Sequence, residues 1–126
     1  MNAPAVLLLA HGARDPEWAR PVQRLAEALE RQQSGAWVCT AFLEFMPPSL
    51  PEAIDEAVRR GHRRILVVPV FLAAGGHVKR DLPAMITAAA NRHSGFRITL
   101  ADVIGEAESV IAAMAQEVLR QLGERS

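Results

Sequence analysis

Three short apolar runs punctuate the chain, Ala5 to Ala10 (AVLLLA), Trp37 to Phe42 (WVCTAF) and Ile65 to Val70 (ILVVPV). All three read as strands, the first buried and the third, a β-branched run, of the kind buried on both faces. Between them the apolar residues recur every three or four positions, as on helices. After the first run, Asp15-Pro16 predicts a helix start, with Asp15 as N-cap and Pro16 at the first helical position. Trp18, Val22, Leu25, Ala26 and Leu29 carry that helix to about Gln32, with a small kink at Pro21 and a stop at Ser34-Gly35. The second strand is expected to continue into Leu43-Glu44-Phe45 before Met46-Pro47-Pro48 halts it. Ser49 and Glu52 then read as a capping box, S-x-x-E, ahead of a helix that turns Ile54, Ala57 and Val58 inward and ends at Gly61.

The third strand runs into Gly75-Gly76, a pair suited to a tight turn, and places His77 on a loop. Asp81 is expected to cap a third helix reaching about Asn91, with Pro83 in its first turn and Met85, Ile86 and Ala89 inward. Phe96 to Ala101 is a weaker fourth strand. Glu106 to Leu122 is the last helix, with Val110, Ile111, Met114, Val118 and Leu122 on one side, and the polar residues after Gly123 are expected to fray. Strand and helix thus alternate four times, which predicts an α/β fold of flavodoxin-like type: a four-stranded parallel sheet, order 2-1-3-4, with helices on both faces. With 126 residues and no linker or repeat, residues 1–126 make a single domain.

Composition removes several function classes. The 14 basic and 14 acidic residues cancel, leaving no global field to draw in nucleic acid or an anionic membrane. No apolar run approaches the roughly 20 residues that span a bilayer, and Ala3 to Ala10 lacks the basic leader of a secretory signal, so a cytoplasmic location is expected. Cys39 has no intramolecular disulfide partner and reads as a buried, inert thiol in a strand. His62 and His93 follow helices and are expected to be solvated. Trp18 and Trp37 are spaced like core or interface residues.

The candidate chemistry lies in a regularity of placement. His11, Glu44 and His77 stand 33 residues apart, each closing a successive strand. In the order 2-1-3-4 those strands are neighbours, so two imidazoles and a carboxylate converge on one rim of the sheet, where ligands of open α/β sheets bind. Such a set suits two tasks, holding a divalent metal and accepting protons near neutrality. Three ligands leave coordination positions open, as at reactive metal sites.

The segments LLLAHGARDP, AFLEFMPPSLPEAIDEAVRRG and ILVVPVFLAAGGHVKRDLP resemble the small class II chelatases, the sirohydrochlorin cobaltochelatases and ferrochelatases of the short CbiX type. The likeness covers the chain to about residue 105. It implies a chelatase-like half domain that inserts Co²⁺ or Fe²⁺ into a sirohydrochlorin-type tetrapyrrole without nucleotide, in cobalamin or siroheme biosynthesis. The resemblance implies that His11 and His77 bind the metal and accept the pyrrole protons, with Glu44 assisting. Longer members carry two such domains facing across a cleft, so a homodimer is expected, with Phe45, Met46, Phe71 and Leu72 as candidate contacts. Two departures stand out: Ala13 where the family often has Ser, and Ile104 to Ser109 (IGEAES) where many relatives carry His-Pro.

On this reading the divalent ion is a substrate and the tetrapyrrole its partner. Arg14, Lys79 and Arg80, which flank the histidines, are expected to meet the macrocycle's carboxylates. Co²⁺, Fe²⁺ and Ni²⁺ all accept these ligands. A non-catalytic metal carrier is the alternative. A histidine phosphatase also has His-Gly after its first strand, but Ala10 replaces the usual preceding Arg. A nucleotide-binding module is least favoured, since neither a Walker loop nor G-x-G-x-x-G is present.

Overall fold

A computed structural model describes residues 3–32 and 35–125. Among these, four parallel strands, β1 (Ala5–Ala10), β2 (Trp37–Phe42), β3 (Arg64–Pro69) and β4 (Arg97–Leu100), form one sheet in the order β2-β1-β3-β4. That is the expected topology. The central strand β1 is paired on both sides, Leu7 opposite Cys39 and Val67, Leu9 opposite Ala41 and Pro69. Double pairing explains why its sequence is apolar on both faces.

The two faces are covered unequally. On one, Leu7 and Leu9 of β1 and Ile65 and Val67 of β3 are buried beneath α2 (Leu50–Arg59) and α3 (Gly76–Arg92), which contribute Ile54, Ala57, Leu82 and Ala89. Full burial of each large aliphatic chain contributes roughly 1.5–3 kcal/mol. On the other face, Leu8 and Phe42 lie beneath α1 (Arg20–Arg31), whose Val22 is buried with Ala19 just before it. α1 spans the β1–β2 half only.

Caps and breakers decide the element ends. The capping box is present: the Ser49 hydroxyl accepts from Glu52 N at 3.2 Å, and Ser49 N donates to the Glu52 carboxylate at 2.8 Å. The Ser49 N–H, and after it the Ser49 side chain, hold the Glu52 carboxyl below its ordinary range. Asp15 also caps, accepting from Glu17 N at 2.9 Å, but the element it caps is a separate 3-10 turn, Pro16–Ala19. Pro21 sits within the first two positions of α1, where a missing N–H costs nothing. In place of the small kink expected at Pro21, the winding changes from 3-10 to α between Ala19 and Arg20, and Trp18, spaced like a core or interface residue, is 72% exposed. Of the expected stop at Ser34-Gly35, Ser34 lies outside the described residues.

Three other expectations are corrected. β2 ends at Phe42, because the chain then turns and Phe45 adopts a positive φ of 68°. α3 begins at Gly76 rather than at Asp81, so His77 lies in a helical first turn and Pro83 within the helix. His62 and His93 are half-buried rather than solvated: His62 Nδ1 lies 2.8 Å from the Ala3 carbonyl and its ring stacks on Trp37, while His93 Nε2 lies 2.8 Å from Asp55 Oδ1. Cys39 is half-buried in β2, its thiol donating to the Thr40 carbonyl, and burial pushes its pKa up. That fits an inert thiol.

A second 3-10 turn, Ile104–Glu106, leads into α4 (Glu108–Arg125), which runs two residues past Gly123 instead of fraying there. No residue of α4 is buried, and Ile111, Met114, Val118 and Leu122, expected on one side of it, are exposed. No described helix is long and apolar enough to cross a membrane.

Candidate active site at the carboxyl rim of the sheet

The loop after β1 is laced to the loop after β2. Beyond the last paired residues, Leu43 N donates to the Ala10 carbonyl and Glu44 N to the His11 carbonyl, both at 3.0 Å. His11 and Glu44 are thereby fixed on adjacent backbones by extension of the ladder. Gly12 completes this junction. Its φ is +86°, and a Cβ there would run into the Glu44 carbonyl oxygen. A glycine is required on both counts.

β3 supplies the backing. Val70 N donates to the Leu9 carbonyl at 2.8 Å, carrying Phe71 alongside His11. The two rings stack with centroids 4.3 Å apart and planes 27° apart. Phe71, a contact for a second chain on the sequence pattern, is itself buried and cannot be an exposed one. Met46 is half-buried against the α1 side of the core, whereas Phe45 (58%) and Leu72 (72%) are exposed. Gly105 N holds the Phe71 carbonyl at 2.9 Å, and a Cβ at Gly105 would clash with the Leu72 backbone. So the segment that departs from the family's His-Pro serves here to clamp the end of β3.

His77 comes from α3. Its first turn and the rim of β1 and β2 enclose a cleft of about 470 Å³ lined by His11, Glu44, His77, Leu43, Asp81 and Met85, with Val78 and Leu82. The three chemistry-bearing residues anticipated from their spacing thus share one cavity. Among the described residues, however, no three His, Cys, Asp or Glu side chains stand close enough together to hold a metal ion. His11, Glu44 and His77 are all exposed, so the cleft is open and its side chains are not locked against one another.

Asp81 has the sequence pattern of a cap alone. One helical turn beyond His77, it lines the same cleft, and the signal that could have found it is the spacing H-x-x-x-D once His77 is placed on a helix. The expected carboxylate-binding cations are less concentrated. Arg14 packs its guanidinium 4.8 Å from the Phe45 ring centre. Lys79 lines a separate hollow with Asp102 and Glu106, and Arg80 is exposed on α3 and lines neither hollow.

The CbiX family model matches residues 5–121. The chain belongs to the CbiX family. It is 42% identical over 82 residues to the sirohydrochlorin cobaltochelatase of Methanopyrus kandleri, a match covering 65% of this chain and 57% of that one. It is 36% identical over 89 residues to the sirohydrochlorin cobaltochelatase of Methanocaldococcus jannaschii, covering 71% and 62%. The matched part thus spans about three-fifths of the length of these relatives. In three dimensions the chain resembles a CbiX protein from Marinobacter aquaeolei at a TM-score of 0.82 and 36% identity, covering 98% of this chain and 99% of that one. It also resembles the sirohydrochlorin chelatase SirB of Bacillus subtilis subspecies spizizenii, solved with cobalt, at a TM-score of 0.79 and 28% identity, covering 94% of this chain and half of SirB. The family expected from the sequence and the fold it implied are therefore the ones found.

Proposed function

We propose that this CbiX-family chain is a sirohydrochlorin chelatase, inserting Co²⁺ or Fe²⁺ into a sirohydrochlorin-type tetrapyrrole without nucleotide. The observation that carries this reading is the single cleft shared by His11, Glu44 and His77, in a fold whose relatives include named cobaltochelatases.

In the proposed reaction a divalent ion replaces two pyrrolic protons: the macrocycle loses two N–H protons and gains four metal–nitrogen bonds, with no change in oxidation state. His11 and His77 take up the arriving ion and pass it to the ring, and Glu44 or a freed imidazole accepts the protons. An open, loosely ligating site suits this work. An ion gripped by a closed ligand set is retained, whereas a chelatase must release its ion to the substrate. Phe71 stacks on His11 and restricts that imidazole, which lines the cleft. The first turn of α3 presents unpaired N–H groups at the rim beside Lys79 and Arg80, a setting that favours substrate carboxylates, and Arg14 serves the opposite edge.

A cleft of this volume, open on one side, holds a macrocycle against one wall only. A second copy supplies the other wall, and the rim-exposed Phe45 and Leu72 suit that contact, so the working form is a homodimer. Its place of action is the cytoplasm, as the source of a tetrapyrrole intermediate.

The test is anaerobic absorbance of sirohydrochlorin with Co²⁺ and with Fe²⁺, in the presence of wild type, His11→Ala or His77→Ala. Acceleration by the wild type and a loss of about 100-fold or more in each variant is expected. Tight ion binding with no acceleration by the wild type would replace the chelatase with a metal carrier.

A further inference from the structure

Among the described residues, the fold leaves uncovered one helix and one half of a sheet face, the latter edged by the exposed Arg64–Arg97 pair. In a parallel ladder, residues opposite one another share a face. Val6, Leu66 and Thr99 form one cross-strand row, and Leu8 and Val68 the next. α1 covers the β1–β2 end of these rows. At the β3–β4 end Leu66 is 36% exposed and Thr99 is exposed. A doubly wound sheet has a helix at this place, and α4 is the element left over. Its apolar residues Ile111, Met114, Val118 and Leu122 recur every three or four positions and are 38–65% exposed. Of its 18 residues only Val110 is even half-buried.

The route of the chain explains why α4 does not cover its own sheet. The 3-10 turn at Ile104–Glu106 is pinned to the end of β3 by the Gly105 clamp. A single residue, Ala107, separates that turn from α4, and Val110 and Ile111 both donate back to its carbonyl. With no slack in the connection, α4 leaves from the carboxyl rim instead of folding back.

We infer that α4 is exchanged between two copies of this chain, each laying its apolar stripe on the open β3–β4 face of the other. The inference deepens the dimer reading above and rests on it. One molecule type carries both the vacancy and the filler, so a twofold pair satisfies both at once and closes the assembly. α4 is about 27 Å long. Two such helices, each laid on a sheet, bury on the order of 2,000 Å² in total, which lies in the range of stable interfaces. SirB, of which this chain covers half, is long enough to hold two such units in one polypeptide.

The experiment joins Leu66→Cys with Val118→Cys, and separately with Leu122→Cys, in the full chain. The purified proteins are oxidised at micromolar concentration, run on a non-reducing gel, and the bridges mapped by peptide mass to distinguish them from Cys39. Light scattering follows wild type and V118E/L122E in parallel. Exchange gives a wild-type dimer, a disulfide-linked dimer in at least one pairing, and a dissociation constant raised about 100-fold or more in V118E/L122E. Both glutamates fall on positions exposed in the single chain, so retained circular dichroism separates dissociation from unfolding. A wild-type dimer whose bridges close within one chain, or form in neither pairing, overturns the exchange and leaves the dimer standing. A wild-type monomer overturns both.

Discussion

The imidazole of His11 lies against the buried ring of Phe71, centroids 4.3 Å apart and planes inclined by 27°. His11 leaves the central strand at the rim, and Phe71 reaches it from the neighbouring strand because Val70 prolongs the β1–β3 pairing. The aromatic face restricts the imidazole on one side, and His11 lines the cleft. Replacing Phe71 by Ala removes a nearly fully buried aromatic, with an expected loss of about 3–5 kcal/mol in stability. Phe71→Leu keeps most of the volume and isolates the stacking. It is expected to retain the fold by chemical denaturation while slowing metallation several-fold at limiting metal. Wild-type rates in a folded Phe71→Leu protein would remove Phe71 from the account.

Gly12 and Glu44 set a second test. A side chain at position 12 meets both a left-handed backbone and the Glu44 carbonyl oxygen. The conformation alone costs roughly 1–2 kcal/mol for a residue other than glycine. Adding the clash, Gly12→Ala is expected to lose about 2 kcal/mol or more in urea unfolding and to depress metallation further than the stability loss explains, because Glu44 is displaced. Gly75→Ala is the control. Its φ is negative and a Cβ there meets nothing within 4 Å, so it should change stability by less than about 1 kcal/mol.

The central strands are legible in the sequence because Ala5–Ala10 and the run at 65–70 are short, apolar and bounded by turn residues, and their alternation with helices points to the 2-1-3-4 order usual in small doubly wound sheets. The equal spacing of His11, Glu44 and His77 reflects repetition of one βα unit length, and the structure gathers them in one cleft. Local pattern does not carry tertiary context. Asp81-Leu82-Pro83 has the form of a helix start, yet α3 begins at Gly76, where the negative φ of Gly75 and the packing of Val78 and Leu82 on the sheet override the local signal. The stripe on α4 has the form of an inner face, but periodicity reports only that a face is to be covered, not by which chain.

Asp81 gains a role from that shift. As a cap it would be spent on backbone N–H groups, whereas in the second turn of α3 it lines the cleft beside His77. A carboxylate there can attract the ion or relay a pyrrolic proton. Asp81→Asn keeps the shape and removes the charge. The expected result is metallation slowed about 10-fold or more, with thermal stability within about 2 °C of wild type, since no hydrogen bond or ion pair of Asp81 is found among the described residues. An unchanged rate would restrict the cleft's chemistry to His11, Glu44 and His77.

Asp55 offers a pH test far from the cleft. The His93 ring nitrogen 2.8 Å from its Oδ1 holds the Asp55 carboxyl below its ordinary value, Arg92 at 3.2 Å lowers it further, and partial burial opposes both. A carboxylate whose pKa is depressed by folding stabilises the folded chain above its unfolded value, about 3.9, and loses that contribution as pH falls through the folded value. The contact joins α2 to the end of α3, so it ties together the helices that roof the buried face of the sheet. With the side chain 53% exposed, solvent screening limits the effect to less than about 1 kcal/mol. The gap between wild type and Asp55→Asn is therefore expected to narrow progressively as pH falls below about 4. Urea unfolding at half-unit steps from about pH 3 to 7 checks this, and a gap that widens on acidification would contradict the assigned direction.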